Sequence, residues 1–327
     1  MLNAKFMFRI IQYFKRRKPD YIVSPKEGFG FVDKAPKPED FILGSSNQAL
    51  KIILSEERDY TKYLPDQEKQ SRGFDSYSCV VYSGLNAVET VFKKQYNLDI
   101  NLSDRFLAGM IPVNPMYGTN YLAFWDTFRT NGDCLEEEYP WGGKNGVEYV
   151  KRPPNNIIQK AKLFLNQYEI QHEWVDWAGC DPNKLYDALK YSPLQASVDA
   201  SATYTGKYSR ATNHSIMIYK AVKGISFSIF DHYSRETYEL PWNFYFGSAK
   251  QCSIIAKKKI QLVQMPFHKL LEERAKIYAI FGSTACHIVN EYSWNYGSKL
   301  GIWDNITLLT QNTFNNKFTI GKQLTFK

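Results

Sequence analysis

Cys79 is the residue with the clearest capacity for chemistry. A cysteine attacks an amide carbonyl only as its thiolate, so it needs neighbours that favour the charged sulfur; a helix N-terminus and an imidazolium both do so. From Cys79 to about Lys94, Val81, Leu85, Val88 and Phe92 follow the i, i+4, i+7, i+11 spacing of a helix with one buried face. Ser76 and Ser78 stand where an N-cap belongs. The expected helix therefore begins at the thiol. Such a position serves a small buried core thiol equally well, so the imidazole must be sought elsewhere in the chain. Histidines stand at 172, 214, 232, 268 and 287. Cys286-His287 is not a usable pair, because adjacent residues point apart on strand and helix alike. His172, among strand-like apolar residues, and His268, at a helix start, suit structural or exposed roles. His232 directly follows Asp231 and is expected on the opposite side of its strand.

The elements that position these residues are helical first and β-rich second. After about residue 190, Leu194–Asp199, Ser215–Val222, Ile225–Phe230 and Cys252–Val263 read as strands, with Lys223-Gly224 a tight turn. That order predicts an α+β domain with two lobes. The high tyrosine and phenylalanine content, 23 and 21 residues, agrees with a sheet-rich, aromatic core. Residues 19–45 hold Pro19, Pro25, Pro36 and Pro38 and read as an extended strap. Residues 2–17 read as a short amphipathic helix, and His268–Phe281 as a helix candidate followed by an aromatic, then Asn- and Thr-rich, tail.

Several motifs lie in order around Cys79 and His214. Gln70-Ser-Arg-Gly-Phe-Asp-Ser-Tyr-Ser-Cys79 leads into the small-residue helix, and Asn101-Leu-Ser-Asp-Arg-Phe-Leu107 follows. Then come Gly132-Asp-Cys-Leu-Glu-Glu-Glu-Tyr-Pro-Trp141, Pro193-Leu-Gln-Ala-Ser-Val-Asp-Ala200 and Asn213-His214 ahead of a strand. Together, over roughly residues 60–255, they resemble the papain-like cysteine peptidases, closest in pattern to papain-like proteins encoded by phages. His214 also follows Cys79 within the separation of about 130–150 residues that this family keeps between nucleophile and base. The resemblance implies a two-lobe α+β fold, the helical lobe followed by a β-barrel-like antiparallel sheet. It implies Cys79 as nucleophile, His214 as general base and Asp231, after the following strand, as the third member of a Cys-His-Asp triad. Gln70 is implied as the oxyanion donor beside the Cys79 backbone N–H, with Gln67 a rival, and Gly118-Thr119-Asn120 matches the loop where the family lets a substrate backbone approach. No metal or cofactor is implied.

Departures from the family pattern are plain. Gln70 stands nine residues before Cys79, a longer spacing than the family's, and Asp231-His232-Tyr233-Ser234 replaces Asn-Ser-Trp-Gly; Tyr233 would take over the shielding role of that tryptophan. The family's disulfide cysteines are missing, Ser76 taking one such position. Five cysteines without a CxxC pair argue against a disulfide framework or a zinc site, and so for a reducing, cytoplasmic or virion-associated setting.

The formal charge of +8 gathers at one end: Lys5, Arg9, Lys15, Arg16, Arg17 and Lys18 lie in the first 18 residues without an acid, and the rest is close to balance. A specific nucleic-acid partner is therefore not expected. No apolar run reaches membrane-spanning length, and the N-terminal order of apolar then basic residues is the reverse of a secretory signal. Residues 2–17 are expected to dock on their own domain in preference to a membrane surface. The expected layout is an N-terminal helix and strap (1–60), a peptidase domain (61–263) and a C-terminal appendage (264–327). Both ends are expected to dock, on the domain or on a partner, outside the catalytic cycle, with residues 19–60 crossing the cleft as the alternative. The expected substrate is a polypeptide, with peptidoglycan cross-links the rival. The alternative class is a catalytically silent structural or binding protein of papain fold.

Overall fold

The computed structural model describes residues 30–37, 40–42, 52–233, 236–257, 260–265, 276–281, 284–288, 303–308 and 319–320. Helix α1, Cys79–Tyr96, is the axis of the helical lobe and is buried without a break from Cys79 to Phe92. It ends where Asn97 takes a left-handed conformation, φ 54°, a C-cap role that asparagine tolerates. Four helices gather around it: α2 Asp104–Met110, α3 Tyr121–Asn131, α4 Gly146–Tyr149 and α5 Asn155–Gln167. Ser103, Asn120 and Asn145 cap α2, α3 and α4 by accepting backbone N–H groups. Gly84 is required within α1, because a Cβ there would fall 2.3 Å from the Phe124 ring of α3. Phe92, Phe106, Phe124, Trp125, Phe128 and Phe164 fill the core of this lobe.

The second lobe is a six-stranded sheet. Its strands are β1 Tyr168–Asp176, β2 Leu194–Val198, β3 His214–Val222, β4 Ser226–Asp231, β5 Glu236–Pro241 and β6 Ala249–Ala256, in the order β1-β6-β2-β3-β4-β5. All neighbours are antiparallel. Two short helices, α6 Pro182–Ala188 and α7 Ala200–Thr205, interrupt it. Val198, Ile216, Ile218, Phe227 and Ile229 form its core, which Ala87 of α1 joins from the helical side.

The expected α+β order of helical lobe then sheet is what the chain adopts. The sheet is open, however, and not barrel-like: β1 and β5 remain its two edges. The free edge of β1 is covered by the strap, where Ile42 bridges Trp174 and the Trp174 N–H donates to the Phe41 carbonyl. A second departure is the helix expected over His268–Phe281. Lys276–Phe281 is strand β8, and the preceding residues lie outside those described. A short apolar run does not distinguish strand from helix by period, and here two antiparallel neighbours, β7 Ile260–Met265 and β9 Thr284–His287, complete its hydrogen bonds. With β10 Trp303–Leu308 and β11 Thr319–Ile320 they make a five-stranded sheet, order β10-β7-β8-β9-β11. The single strand expected over Cys252–Val263 is thus two, one in each sheet. The helix expected over residues 2–17 lies outside the described residues. Among those described, no helix is long and apolar enough to cross a membrane.

Candidate active site

Two local devices bring distant residues together. α1 presents Cys79 at its first turn, and the β3–β4 hairpin returns the end of β4 to the start of β3 through the turn at Gly224, φ 74°. His214 opens β3 and Asp231 closes β4, so the hairpin brings them to the same end of the strand pair, diagonally across from each other. His214 Nε2 and Asp231 Oδ1 are 3.0 Å apart, both residues buried. The other ring nitrogen is left for the side of Cys79, whose thiol is near enough to favour the charged imidazole. Burial disfavours the His214 cation, but the Asp231 charge, the hydrogen bond to it and the contact with Cys79 outweigh burial and raise the imidazole above its ordinary value. Burial likewise opposes ionisation of Asp231, and the facing His214 charge and hydrogen bond hold its carboxyl well below the usual carboxylate range.

Asp231 is saturated. Oδ1 also accepts from the Tyr233 backbone N–H at 2.9 Å, and Oδ2 accepts the hydroxyls of Tyr238 at 3.0 Å and Tyr204 at 3.3 Å. Tyr233 stands edge-on to the His214 ring, centroids 5.6 Å apart at 84°. His232 makes neither contact expected of a base. Its ring stacks on Tyr82 at 5.3 Å, and burial above all pushes its pKa down to about 3, so it is a neutral core residue. Ligand-type atoms of His214, Asp231 and His232 lie within 4.8 Å of one another. With Asp231 already accepting four hydrogen bonds, one of them from His214, the cluster is built as a hydrogen-bonded relay more than as a cation cage.

A buried polar chain locks α1 to the sheet beneath the thiol. Ser83 Oγ donates to the Cys79 carbonyl at 2.8 Å and meets Ser215 Oγ, next to His214, at 2.7 Å. Gln195 of β2 donates to Ser83 Oγ and to the Val80 carbonyl and accepts from Trp125, while the Tyr121 hydroxyl closes on Ser215 at 3.0 Å. Every polar atom of the Gln195 amide is therefore occupied, which is what a polar group buried between lobes requires. Sequence reasoning did not single out these residues, although Gln195 lies inside a recognised motif and is the one large polar side chain of β2.

Gln70 is buried and Gln67 exposed, so Gln70 is the better placed of the two for a water-excluded task. Its side-chain Nε2 donates to Asp75 at 2.9 Å, and its backbone N–H donates to the His232 carbonyl. The expected N-cap fails in detail: Ser78 holds the position but its hydroxyl donates to the Ser76 carbonyl, leaving the first N–H groups of α1 uncapped by side chains. Uncapped N–H groups at the thiol leave the positive end of the helix directed at the sulfur.

Gly118, Thr119 and Asn120 divide their labour. Gly118, φ 76°, lets the chain pass so close that a Cβ would meet the Gly30 carbonyl; Thr119 offers its backbone; Asn120 turns its side chain inward to cap α3. What they face is the chain's own strap. Thr119 N–H donates to the Gly30 carbonyl at 3.0 Å, Val32 N–H donates to the Thr119 carbonyl at 2.8 Å, and Phe31 N–H donates to the carbonyl of Asn213 at 3.3 Å. At Gly30, φ 101°, a Cβ would lie 3.1 Å from Cys79 Sγ and 2.5 Å from the Tyr77 carbonyl oxygen. Only glycine passes there, and the strap expected outside the catalytic cycle lies on the thiol. Cys79, Cys134, Cys180 and Cys252 are all free thiols.

No protein-family profile matches the chain, and no curated protein does. Solved structures do. One is the Amb a 11 cysteine protease of ragweed pollen in its proform, 16% identical with a TM-score of 0.47; the match covers 59% of this chain and 65% of that one, so this chain spans about two thirds of its length. Another is the bromelain protease of Ananas comosus in complex with the E64 inhibitor, 13% identical, TM-score 0.48, covering 60% of this chain and 97% of that one. A third is xylellain, a cysteine protease from Xylella fastidiosa, 14% identical, TM-score 0.46, covering 70% and 98%. Each is a likeness of fold.

Proposed function

We propose that this chain is a papain-like cysteine peptidase that cleaves polypeptides through a thioester on Cys79. The observation that carries this reading is a thiol at the uncapped start of a buried helix, neighbouring an imidazole whose far nitrogen is held by a buried carboxylate. In the proposed cycle the Cys79 thiolate attacks the scissile carbonyl carbon. The oxyanion is received by the Cys79 backbone N–H and the second N–H of the Gln70 amide, a donor type whose loss costs about 100- to 1,000-fold in rate elsewhere. The C–N bond breaks as His214 gives its proton to the leaving amine. His214 then takes a proton from water, the hydroxide attacks the thioester, and the acid product leaves Cys79 as thiolate. Asp231 fixes the tautomer of His214 and stabilises its cation, while the Tyr233 ring keeps water from their contact.

Gly118 and Thr119 are the backbone ledge for the substrate in this reading, and residues 30–32 occupy that ledge in the resting chain. Free thiols favour a reducing setting, such as cytoplasm or a virion. The competing reading is a silent papain-type fold whose cleft only holds a segment, and the seated strap is the observation in its favour. Incubation of an unfolded protein with the chain and with Cys79→Ala separates the two: new peptide termini formed by the chain alone support the peptidase. Equal fragments with both, or none with either after the strap has been displaced, refute it.

A further inference from the structure

Asp75 lies within the Gln70–Cys79 segment but has no role assigned above, yet its carboxylate gathers both sides of the site. Oδ1 accepts from Gln70 Nε2 at 2.9 Å and from the Tyr77 backbone N–H at 2.8 Å; Oδ2 accepts the Tyr233 hydroxyl at 2.7 Å. We infer that Asp75 is a positioning residue that sets the Gln70 amide with its N–H groups facing the site and couples it to the ring that shields His214.

The inference rests on the peptidase reading and deepens it. A carboxylate only accepts, whereas a primary amide can turn either its carbonyl or its NH₂ toward a partner. Beside Asp75, the flipped Gln70 would oppose oxygen to oxygen in a buried place, so the carboxylate selects one orientation. One Nε2 hydrogen is used on Asp75 and the second remains for a developing oxyanion. Gln70 Oε1, buried and without a hydrogen-bond partner among the described residues, is what this selection leaves stranded. An unpartnered buried carbonyl is costly, and it persists because the partner on the nitrogen side is charged.

The longer loop gives Asp75 its place. Ser71 and Asp75 bridge across Gly73, φ 87°, and Tyr77 is held left-handed, φ 52°, by its N–H bond to Asp75 immediately before α1. The same carboxylate therefore fixes the approach to the nucleophile, the amide beside it and, through Tyr233, the side of the imidazole. Tyr233 is tied in turn to Asp231 by its backbone N–H.

The test is steady-state hydrolysis of one peptide substrate by the full chain and its Asp75→Asn, Gln70→Ala, Tyr233→Phe and Asp75→Asn/Gln70→Ala variants. Asparagine keeps the shape, and the Tyr77 N–H holds its carbonyl oxygen on the Gln70 side, so what is lost is the charge that ties the Gln70 amide and the acceptor for the Tyr233 hydroxyl. Asp75→Asn should lower kcat about 10- to 100-fold with KM changed less than about threefold, and should add almost nothing on top of Gln70→Ala. Tyr233→Phe should repeat the kcat-only loss on a smaller scale, about two- to fivefold, and removes a single hydroxyl if Asp75→Asn does not fold. Alkylation of Cys79 by iodoacetamide, which develops no oxyanion, should proceed at the same rate in Asp75→Asn as in the unaltered chain. Hydrolysis unchanged in Asp75→Asn, losses that multiply with Gln70→Ala, or a Tyr233→Phe equal to the unaltered chain would overturn the role of Asp75 alone. A chain that never hydrolyses peptide, even with the strap displaced, overturns the peptidase reading and this role with it.

Discussion

Phe31 seats the strap on Cys79, and its removal should open the site. Its ring is 6% exposed and lies 4.8 Å from that of Tyr121, so Phe31→Ala forfeits nearly the whole burial of an aromatic side chain. That burial stabilises the seated strap by about 2 kcal/mol, which raises the open population roughly 30-fold while the three backbone hydrogen bonds of residues 30–32 remain. The assay is the rate of Cys79 alkylation by a small neutral reagent, measured beside the thermal midpoint. The expected result is labelling about 30-fold faster with little change in midpoint, because a strap opens locally without unfolding the lobes. Val32→Ala, at a side chain 43% exposed, is the control and should change neither. If Phe31 is instead an ordinary part of the core, its loss costs about 3–5 kcal/mol of global stability. A fallen midpoint with Cys79 labelled no faster would refute the opening strap.

Asp231→Asn keeps a carbonyl for His214 and an NH₂ for the tyrosine hydroxyls but loses the charge, so kcat/KM should fall about 10- to 100-fold with the fold intact. Asp231→Ala also strands the Tyr204, Tyr238 and Tyr233 donors and should cost about 3 kcal/mol or more of stability by denaturant titration. His232→Phe should leave hydrolysis within a few-fold of the unaltered chain and change acid stability instead. With its folded value pushed down to about 3 by burial, His232 contributes stability that is present above its ordinary value of 6.5 and lost as pH falls, because only the unfolded chain takes the proton. His232→Phe should therefore flatten the loss of stability between those values by up to about 1.4 kcal/mol per pH unit, read from urea midpoints across that range. Lys250 is buried over the Trp174 ring, 4.1 Å to its centroid, with no hydrogen-bond partner for Nζ among the described residues, and burial pushes its pKa down to about 7. Lys250→Met should raise stability by about 1–3 kcal/mol near neutral pH, whereas a loss would show that the cation is stabilising where it lies.

The parts of the site that were legible in the sequence are those made by local rules. The i, i+4, i+7 pattern from Val81 locates α1, and a tight turn at Lys223-Gly224 between two apolar runs sets the β3–β4 hairpin, whereas the pairing of His214 with Asp231 is implied by the family resemblance alone. The illegible parts depend on where one segment lies upon another. Prolines 36 and 38 declare an extended strap but not its course, and nothing local in Gly30-Phe31 points to Thr119 or Cys79. Asp75 sits in a serine-rich loop whose side chain makes its decisive contact with Tyr233, far along the chain. The open sheet is bounded at β1 by the strap at Ile42 and Trp174, and β8 reads as helix in the sequence because an unbroken run from Ile277 to Phe281 has no period.

The central claim is that Cys79 is an activated nucleophile served by His214, and the most direct measurement is site-mapped labelling by a peptide bearing a thiol-reactive electrophile. Cys180 is the most exposed of the four free thiols described, while Cys79 is buried beneath Gly30. In the full chain carrying Phe31→Ala, the account predicts a single adduct on Cys79, formed ahead of any on Cys180 and abolished by His214→Ala. Labelling that reaches Cys180 first, or that proceeds on Cys79 equally well without His214, would contradict it.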